Sequence, residues 1–555
     1  MKENIKFSSL DRTKIVQKLG KEDFDLVVIG GGITGGGIAL DAASRGMKVA
    51  LVEKGDFASG TSSKSTKLIH GGLRYLKQFD FWLVKEVGSE RAIVHKLAPH
   101  IVLPEKMLLP LIENGSYGKW LTSIGLKVYD ILAQVTGDDK RKMLEKKEAL
   151  KLEPLLPKKI LKGAGYYAEY RTDDARLTIE NIKTGLQHGA MALNYAAVTD
   201  FDYTDEKISG VKIKDGISGK DFTIKTKYVI SAAGPWVDEL RSINNSKKGK
   251  RLHLTKGVHL VFPYEKLPVK NSVYFDIPDG RMMFAIPRGK VTYVGTTDTN
   301  FNKDKDNVRV DLADAIYLIS AVNNMFPKVH LEMEDIVSSW AGLRPLIHEE
   351  GKSASELSRK DEIFTSDTGL ISIAGGKLTG YRKMAERVVN RVAKKMEEDY
   401  GTKLSECVTD KIPLCGSDFK KFKHVTKYIE EIYDRIKTDG FTEYDAWFLV
   451  TNYGKQTERI LENYAKLQDK ENYVRMAKAE LHFGIDYEMV QNPMDFFIRR
   501  TGRLYFDIDS MRDLMEVVLE EFKTIFTLDD ATVLSYREEL QAEIIDHSDF
   551  SLERV

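Results

Sequence analysis

DLVVIGGGITGGGIALDAASRGMKVALVE, residues 25–53, is the stretch that organises the chain. Leu26–Ile29 is a short apolar, β-branched run, which is typical of a strand buried on both faces of a parallel sheet. Gly30–Gly35 follows with the spacing G-x-G-x-x-G, and the next residues predict a helix over Ile38–Arg45. A glycine ends that helix, and a second strand runs to Val52. The order strand, glycine turn, helix and strand predicts a parallel α/β unit.

The glycines of this unit have separate physical functions. Gly30 allows the tight turn, Gly32 lets the backbone approach a pyrophosphate, and Gly35 lets the helix pack on the strand. The helix N-terminus offers N–H groups to the pyrophosphate, and Glu53 can accept a hydrogen bond from a ribose hydroxyl. A lone glycine motif is also compatible with an ordinary turn. Here the strands, helix and acidic end have the right spacing, and the stretch predicts a dinucleotide site.

The composition of the whole chain excludes several classes of protein. The chain has 555 residues, 42% of them hydrophobic, and should form two or three domains. A net charge of +1 argues against nucleic acid as a partner. Cys407 and Cys415, the two cysteines, suggest reduced thiols in a reducing compartment. The N-terminus lacks an apolar signal core, and no run approaches the roughly 18 apolar residues of a membrane span. We expect a soluble or peripheral protein on the cytosolic side.

Two later segments repeat the arrangement of a strand followed by glycine. A predicted strand over Phe222–Ile230 leads into SAAGPW, residues 231–236. Another predicted strand, Leu370–Ala374, leads into GGKLT and a helix over Tyr381–Lys395. Both junctions suit close approach of the backbone to the same cofactor. Between them, alternating segments over residues 252–295 predict an antiparallel sheet that forms a substrate layer.

Two other segments bear on surfaces and partners. Residues 120–135 carry apolar residues at the spacing of one helix face. Residues 140–162 combine many lysines with leucines, and a basic amphipathic segment can lie on an anionic membrane. A solvated face packed on its neighbour explains the same pattern. Beyond about residue 400 the pattern is helical, with a capping box at Thr442 and Asp445 and a stop at Gly454.

Six motifs together resemble the FAD-dependent glycerol-3-phosphate dehydrogenases. They are SSKSTKLIHGGLRYL (62–76), SAAGPWVDEL (231–240), KGVHLVFP (256–263), IPRGKVTYVGTTDT (286–299), WAGLRPL (340–346) and IAGGKLTGYRKMAE (373–386). The resemblance runs from about residue 20 into the C-terminal helices. It implies FAD, oxidation of sn-glycerol 3-phosphate to dihydroxyacetone phosphate by hydride transfer from C2 to flavin N5, and reoxidation by membrane quinone. It also implies a cytoplasmic protein attached peripherally to the inner face of the cell membrane.

The resemblance also implies the domain organisation. We expect an α/β protein with a discontinuous Rossmann-like FAD-binding domain, an antiparallel-sheet substrate domain and a C-terminal all-helical cap domain. The expected FAD-binding parts are 1–100, 166–250 and 341–398, the insertion is 101–165, the substrate sheet is 251–340 and the helical domain is 399–555. The oligomeric state stays open, a homodimer included.

Oxidation of a phosphorylated secondary alcohol needs a hydride acceptor, a base and a phosphate clamp. The flavin ring supplies the acceptor. The planar fork of arginine suits phosphate oxygens, and the family motifs put Arg74, Tyr75, Arg344 and Arg359 forward as substrate contacts. A surface position or a structural ion pair is the plain alternative for each arginine, and the motif context favours substrate contact.

Candidate catalytic groups lie in the same motifs. Lys377 follows two glycines at a strand end, where a cation can stabilise the reduced flavin; a surface lysine is the plain alternative. Histidine is the natural base because its pKa lies near neutrality. The two candidates are His259 and His70, and we prefer His259 because its predicted strand faces the flavin. Arg344 belongs to the same catalytic set. Core histidines bonded to the backbone are common, and the remaining histidines show no metal-ligand spacing.

The expected FAD contacts come from four segments. They are Gly30, Gly32, Gly35, Glu53, Ser62, Ser63, Lys67, Gly295, Asp298, Gly376, Lys377, Leu378 and Thr379.

Four alternatives remain open from the sequence. A peroxide-forming glycerol-3-phosphate oxidase would share the motifs of the first half. An amine or amino-acid oxidase of the same fold would need a group that binds the carboxylate of its substrate, rather than several arginines for a phosphate dianion. In a nicotinamide dehydrogenase the later glycine junctions, at residues 231–236 and 375–379, would have no function. A non-enzymatic flavin-fold sensor need not keep a cluster of substrate-binding cations.

Overall fold

The computed structural model of the chain describes residues 6–70, 81–113, 115, 140–348 and 361–550. Within these ranges the strands are β1 Asp23–Ile29, β2 Val49–Val52, β3 Leu68–Ile69, β4 Leu103–Ile112, β5 Lys142–Glu145, β6 Leu161–Arg171, β7 Met191–Leu193, β8 Ala196–Thr204, β9 Lys207–Asp215, β10 Asp221–Ser231, β11 Leu252–Pro263, β12 Ser272–Asp276, β13 Met282–Arg288, β14 Val291–Gly295, β15 Thr299–Asn300, β16 Ser338–Ile347, β17 Glu362–Thr365 and β18 Leu370–Ala374.

The α-helices in the same ranges are α1 Arg12–Lys21, α2 Ile33–Ser44, α3 Phe81–Leu97, α4 Lys146–Leu152, α5 Asp174–Gln187, α6 Val237–Ile243, α7 Leu312–Met325, α8 Tyr381–Tyr400, α9 Phe422–Ile436, α10 Glu443–Tyr453, α11 Thr457–Lys466, α12 Asn472–Tyr487, α13 Arg503–Phe506, α14 Ile508–Phe526 and α15 Asp530–Ser548. A π-helix, Asp495–Arg500, lies between α12 and α13.

The first sheet is built around the dinucleotide unit. Its order is β17-β18-β10-β1-β2-β7, and β18, β10, β1, β2 and β7 are parallel neighbours. Leu26, Val27 and Val28 of β1 are fully buried because helices cover the sheet around a shared apolar core. Helices α2 and α8 meet closely enough that a Cβ at Gly37 would lie 3.0 Å from the Tyr381 ring.

The second sheet is mostly antiparallel and contains the alternating segments of residues 252–295, as expected. Its order is β15-β11-β14-β13-β12-β4-β6-β3, with β16 also paired to β11 and β5 to β6. β4 and β6 come from the segment before residue 172, whereas β11–β16 come from 252–347. The chain therefore passes between the two sheets more than once, which makes both of them discontinuous in sequence.

One expected domain boundary does not coincide with the end of a strand. β16 pairs with β11 over ten residues and lies in the second sheet. The boundary expected at residue 340 thus falls within β16.

The C-terminal region is helical from Phe422, as expected, whereas residues 401–421 are irregular. Thr442 and Asp445 form the capping box of α10, which ends at Gly454. Phe483 is fully buried among the C-terminal helices, and Phe496 and Phe497 are fully buried where these helices pack on the second sheet. No helix of the described ranges is long and apolar enough to cross a membrane. The chain is thus an α/β protein with a Rossmann-like domain, a second, mostly antiparallel sheet and C-terminal helices.

Candidate functional site

The glycine loop between β1 and α2 is shaped by two close backbone approaches. Gly30 has a φ of +114°, and a Cβ at this residue would lie 2.6 Å from the carbonyl oxygen of Ala232. A Cβ at Gly35 would collide with the carbonyl oxygen of Gly30. Glycine is therefore required at both positions, first for the turn and then for the packing of α2 on β1.

A cavity of about 980 Å³ lies where three strand ends meet. Its walls include Gly30 and Gly32 after β1, residues 232–236 after β10 and residues 375–379 after β18. Because β1, β10 and β18 are parallel, their carboxyl ends share one edge of the sheet. Ligands of open α/β sheets bind outside this edge.

Ser62 and Gly32 form the wall at the N-terminus of α2. The Ser62 Oγ accepts a hydrogen bond from the backbone N–H of Ile33 at 3.0 Å. A Cβ at Gly32 would lie only 3.0 Å from that Oγ, so the glycine leaves room for the serine. Both residues line the cavity beside a helix N-terminus, which favours a negatively charged group.

Glu53, at the end of β2, ties two loops together. Its Oε2 accepts from the Gly31 N–H at 2.6 Å, and its Oε1 accepts from the Gly55 N–H at 2.9 Å. Burial raises the pKa of the Glu53 carboxyl, and the two N–H groups act in the opposite direction. The carboxyl lines the cavity. Because each oxygen of an ionised carboxylate can accept two hydrogen bonds, Glu53 can also bind a ribose hydroxyl.

Four expected cofactor contacts, Gly35, Ser63, Lys67 and Gly295, are not among the residues that line the cavity. Lys67 is buried, and its Nζ donates to Asp174 Oδ1 at 2.5 Å and to the carbonyl oxygen of Ser63 at 2.9 Å. The Ser63 side chain is also buried outside the cavity lining. Lys67 thus forms a buried ion pair with Asp174 of α5, and the contact of Lys67 and Ser63 with FAD stays a prediction.

His259 lies in the cavity wall contributed by the second sheet. Its Nε2 is 3.0 Å from the Thr66 Oγ1, and its Nδ1 has no hydrogen-bond partner among the described residues. Trp340 stacks on the imidazole. Burial lowers the pKa of His259 well below its ordinary value, and the positive charges of Arg344 and Lys67 lower it further. The imidazole is therefore neutral at physiological pH.

Gly295, expected to contact FAD, lies directly beneath the ring of His259. Gly295 is paired with His259 across β14 and β11, and a Cβ at Gly295 would collide with the imidazole ring. Gly295 does not line the cavity, whereas the next residues, Thr296 and Thr297, do. Gly295 thus leaves room for the imidazole ring, and its contact with FAD stays a prediction.

Arg344 is held in the same cavity by groups at the end of β14. Its Nη1 donates to the Thr297 carbonyl oxygen at 2.9 Å and lies 3.3 Å from Asp298 Oδ1, and its Nη2 donates to Thr296 Oγ1 at 2.8 Å. A Cβ at Gly257 would collide with the guanidinium. The side chain is 24% exposed. Arg344 and Asp298 both line the cavity, so the guanidinium can meet an anionic ligand there.

The third strand end brings Lys377 and His70 to the cavity. Gly375 and Gly376 have φ of +81° and +79°, and a Cβ at Gly376 would collide with Met384. Thr379 Oγ1 lies 3.2 Å from both the backbone N and the carbonyl oxygen of His70. The cavity lining includes Gly376, Lys377, Leu378, Thr379 and His70.

Some expected residues lie outside the described ranges. These are Arg74, Tyr75 and Arg359, together with the amphipathic segment 120–135. Among the described residues, no group of three or more His, Cys, Asp or Glu side chains could hold a metal ion.

Several residues that support the site were not predicted from the sequence. Thr66 and Trp340, which contact His259, and Gly257, which makes room for Arg344, were all overlooked. A glycine within an apolar strand, as in KGVHLVF, often marks a close approach by another group. That signal was available for Gly257, whereas nothing local distinguishes Thr66 from its neighbours in the serine-rich loop.

The residues of the cavity fit a flavin adenine dinucleotide. The glycine loop between β1 and α2 can accept a pyrophosphate because it lacks the Cβ atoms that would block the approach to α2. The Glu53 carboxylate can bind a ribose hydroxyl. The remaining cavity extends to the second sheet, where His259 and Arg344 lie. Such a fold and site define a flavin-dependent oxidoreductase of the Rossmann type.

Comparisons with known proteins agree with this class. Residues 25–382 match the family model of the FAD dependent oxidoreductases, and residues 407–533 match the C-terminal domain of alpha-glycerophosphate oxidase. Aerobic glycerol-3-phosphate dehydrogenases of Bacillus subtilis and Staphylococcus aureus are 49% and 47% identical, over 97% of each chain in both cases. The chain belongs to the family of FAD-dependent, aerobic glycerol-3-phosphate dehydrogenases.

Solved structures show the same relationship. The glycerol-3-phosphate dehydrogenase of Bacillus halodurans, complexed with FAD, is 41% identical with a TM-score of 0.85, covering 99% of this chain and 100% of that one. An L-alpha-glycerophosphate oxidase of Mycoplasma pneumoniae, with FAD bound, shares the fold at 20% identity and a TM-score of 0.55, over 70% of this chain and 97% of that one.

Proposed function

We propose that the chain binds FAD in the cavity and oxidises sn-glycerol 3-phosphate to dihydroxyacetone phosphate, with quinone as the final electron acceptor. The observation that carries the proposal is the position of Arg344. Its guanidinium is fixed by Thr296, Thr297 and Asp298 in the same cavity as the glycine loop. The names of the Bacillus subtilis and Staphylococcus aureus relatives support the same substrate.

Arg344 provides the phosphate contact in this proposal. A phosphate dianion is matched by the planar fork of a guanidinium, which donates two parallel hydrogen bonds. Three groups of the protein already orient the guanidinium, so little side-chain entropy is lost when phosphate binds. Arg74, Tyr75 and Arg359 are proposed as further phosphate contacts on the basis of their motifs alone.

His259 is the proposed base for the C2 hydroxyl. Its imidazole is neutral and can take the hydroxyl proton at Nε2, beside Thr66 Oγ1. His70, also in the cavity lining, is the second candidate. Bound FAD supplies the acceptor for the hydride of C2. Lys377, at the third strand end, provides positive charge on that side of the cavity.

Anaerobic titration of the FAD-loaded protein tests the substrate. We expect glycerol 3-phosphate to bleach the flavin absorbance, whereas glycerol and glycine do not, because neither offers a phosphate to Arg344. Arg344→Ala should retain FAD and lose bleaching at the same substrate concentration. Bleaching by glycine but not by glycerol 3-phosphate would instead identify an amino-acid oxidase.

A peroxide-forming glycerol-3-phosphate oxidase is the second candidate function. It is favoured by the match of residues 407–533 to the C-terminal domain of alpha-glycerophosphate oxidase. Turnover should be measured in air with and without a soluble quinone, while peroxide is recorded. We expect reduction of the quinone with little peroxide. One mole of peroxide per mole of substrate, unaffected by the quinone, would favour the oxidase.

We further propose that residues 140–162 form the membrane-facing surface, which we call the basic face. This segment has nine Lys or Arg and three Glu residues. Lys147, Lys158 and Lys159 are exposed, and Ile160 is 38% exposed beside them. Each Lys or Arg near an anionic bilayer contributes about 1 kcal/mol to attraction at physiological salt. The basic face therefore suits weak, reversible binding to the cytoplasmic leaflet.

Vesicle sedimentation tests the basic face. The full chain should bind vesicles rich in phosphatidylglycerol and dissociate at high salt, but it should not bind pure phosphatidylcholine. Changing Lys147, Lys158 and Lys159 to Gln should abolish binding. The matched control changes Lys394, Lys427 and Lys437, which are exposed lysines on other helices, to Gln. Equal loss of binding in both triple variants would refute the assignment of the surface.

A further inference from the structure

Asp56 connects the FAD-binding loop to the C-terminal helical region. It lies three residues after Glu53 and is 1% exposed. Its Oδ2 accepts from Arg499 Nε at 2.5 Å and from Arg500 Nη1 at 2.7 Å, and its Oδ1 accepts from Arg500 Nη2 at 2.9 Å. Both arginines belong to the π-helix Asp495–Arg500, more than 440 residues away in sequence.

The loop that carries Asp56 is the same loop that closes the dinucleotide end of the cavity. Glu53 binds the N–H groups of Gly31 and Gly55, and the Ala58 N–H donates to the Gly31 carbonyl oxygen at 3.0 Å. Asp56 lies between these two attachments to the glycine loop. A shift of Asp56 would therefore move Glu53 and Gly31 together.

A second contact joins the same C-terminal segment to the helix packed on α2. Glu488 accepts from Arg176 at 2.7 and 2.8 Å and from Lys183 at 2.8 Å. Arg176 and Lys183 lie on α5, and a Cβ at Gly36 of α2 would lie 3.1 Å from Ile182 of α5. Residues 488–500 thus contact both the loop after β2 and α5, the helix that packs on α2.

The buried carboxylates at this junction are each paired with neighbouring cations. Asp56 and Glu488 are fully buried, and the pKa of each is lowered by the neighbouring cations against the effect of burial. Arg500 reaches both ends of the junction, because its Nη2 also donates to the Glu488 carbonyl oxygen at 2.8 Å. A buried carboxylate that loses its arginine is left uncompensated, and the surrounding loop has to rearrange.

We propose that Arg499 and Arg500 are positioning residues for FAD, which act through Asp56 to fix the loop that carries Glu53. FAD binding and docking of the C-terminal helices are then energetically coupled, and the coupling is reciprocal: each stabilises the other by the same factor. The C-terminal region is part of the cofactor site without touching the cofactor. This inference requires FAD but is independent of the substrate and of the final electron acceptor.

Titration of the apoprotein with FAD, followed by flavin fluorescence, tests the inference. We expect the Kd for FAD to rise by about 10- to 100-fold in Arg500→Met, within the usual range of coupling between sites. Asp56→Asn should weaken FAD binding as well. The Kd of the double variant should not exceed the higher of the two single-variant Kd values, because both changes break the contact between Asp56 and Arg500. At saturating FAD the KM for substrate should be unchanged.

Arg503→Met is the matched control. Arg503 also forms a buried ion pair, with Glu480 at 2.5 Å, but both residues belong to the C-terminal helices. This variant should lose thermal stability to a similar extent and keep the parental Kd for FAD. Equal effects of Arg500→Met and Arg503→Met on the Kd would show a general loss of stability and would overturn the proposal.

Limited proteolysis of the unmodified protein provides a test that needs no variant. FAD should slow cleavage within residues 400–550, where none of the described residues lines the cavity, because bound FAD stabilises the docked helices. Identical cleavage rates with and without FAD would overturn the coupling, even if Arg500→Met fails to fold.

Discussion

The imidazole ring of His259 lies almost parallel to the indole ring of Trp340, with the ring centroids 4.7 Å apart and the planes 13° from parallel. The indole Nε1 donates to the Ser65 carbonyl oxygen at 3.1 Å, which fixes the indole against the loop before β3. Thr66, in that loop, holds the histidine Nε2. One short loop thus orients both the histidine and the ring that covers it.

We predict that His259→Asn lowers kcat by about 10²- to 10⁴-fold, the usual contribution of a general base, with FAD content unchanged. Because the pKa of His259 is lowered, the acidic limb of kcat/KM should lie below pH 6.5. Bound phosphate offsets the positive charge of Arg344, so the acidic limb of kcat should lie at higher pH. Steady-state kinetics from pH 5 to 9 measures both limbs.

The comparison with His70→Asn decides between the two candidate bases. If His70→Asn abolishes turnover and His259→Asn only perturbs KM, the assignment of the base to His259 is wrong. Retention of the acidic limb in His259→Asn would lead to the same conclusion.

Gly257→Ala should reproduce the loss of Arg344 without changing any charge. The added Cβ would collide with the guanidinium, which must then leave Thr296 and Thr297. We expect KM for glycerol 3-phosphate to rise by about 10-fold or more, equivalent to at least 1.4 kcal/mol of lost binding, while FAD binding is unchanged. Initial-rate kinetics over a range of substrate concentrations measures the effect.

A second alanine serves as the control for that variant. Gly20→Ala adds the same atom in α1, where the nearest contact is an ordinary 3.9 Å from Phe222. It should leave KM unchanged. Gly257→Ala combined with Arg344→Ala should be no worse than Arg344→Ala alone, and additive effects of the two changes would contradict the explanation.

The sequence predicted the features that depend on neighbouring residues. The turn at Gly30, the start of a helix soon after it, and the glycine junctions at residues 232–234 and 375–376 follow from local patterns, and all of them line one cavity edge. The capping box of α10 is equally local. Short-range signals of this kind are sufficient because backbone geometry at a turn is decided by a few adjacent residues.

Features that depend on distant partners could not be predicted in this way. Lys67 appeared suited to a cofactor because it lies in a serine-rich loop, but its partner, Asp174, is 107 residues away. Gly295 appeared suited to a cofactor contact, but the register of β14 on β11 brings it beneath His259. Pairing across a sheet and burial of a charge are tertiary properties, which a single sequence does not encode locally.

Lys67→Met should therefore destabilise the fold rather than abolish flavin chemistry. The change leaves Asp174 buried without its cation, and breaking a buried pair costs about 3–5 kcal/mol. We expect a lower unfolding temperature, with FAD reduction by substrate retained below that temperature. Adding Asp174→Asn should restore part of the stability, since no charge is then left unpaired. If the variant folds normally but no longer binds FAD, Lys67 is a cofactor contact after all.

A buried histidine at the junction with the C-terminal helices should make stability depend on pH. His100 is fully buried, its Nδ1 is 2.9 Å from Ser417 Oγ, and burial, with Arg176 and Lys183 nearby, lowers its pKa to about 3. Between pH 3 and 6.5 the unfolded chain thus binds a proton at this residue that the folded chain does not bind. Stability should therefore fall as pH falls below 6.5, with His100 contributing about 1.4 kcal/mol per pH unit.

His100→Asn tests this contribution. The variant loses some stability at pH 7.5 because the Ser417 contact is weakened, but its urea midpoint should fall less steeply between pH 6.5 and 5.5 than that of the parent. His259 and His547, whose pKa values are also lowered by burial, account for part of the remaining slope. His188→Asn, at an exposed side chain, should keep the parental slope. A parental slope in His100→Asn would mean that the buried imidazole takes up a proton in the folded state.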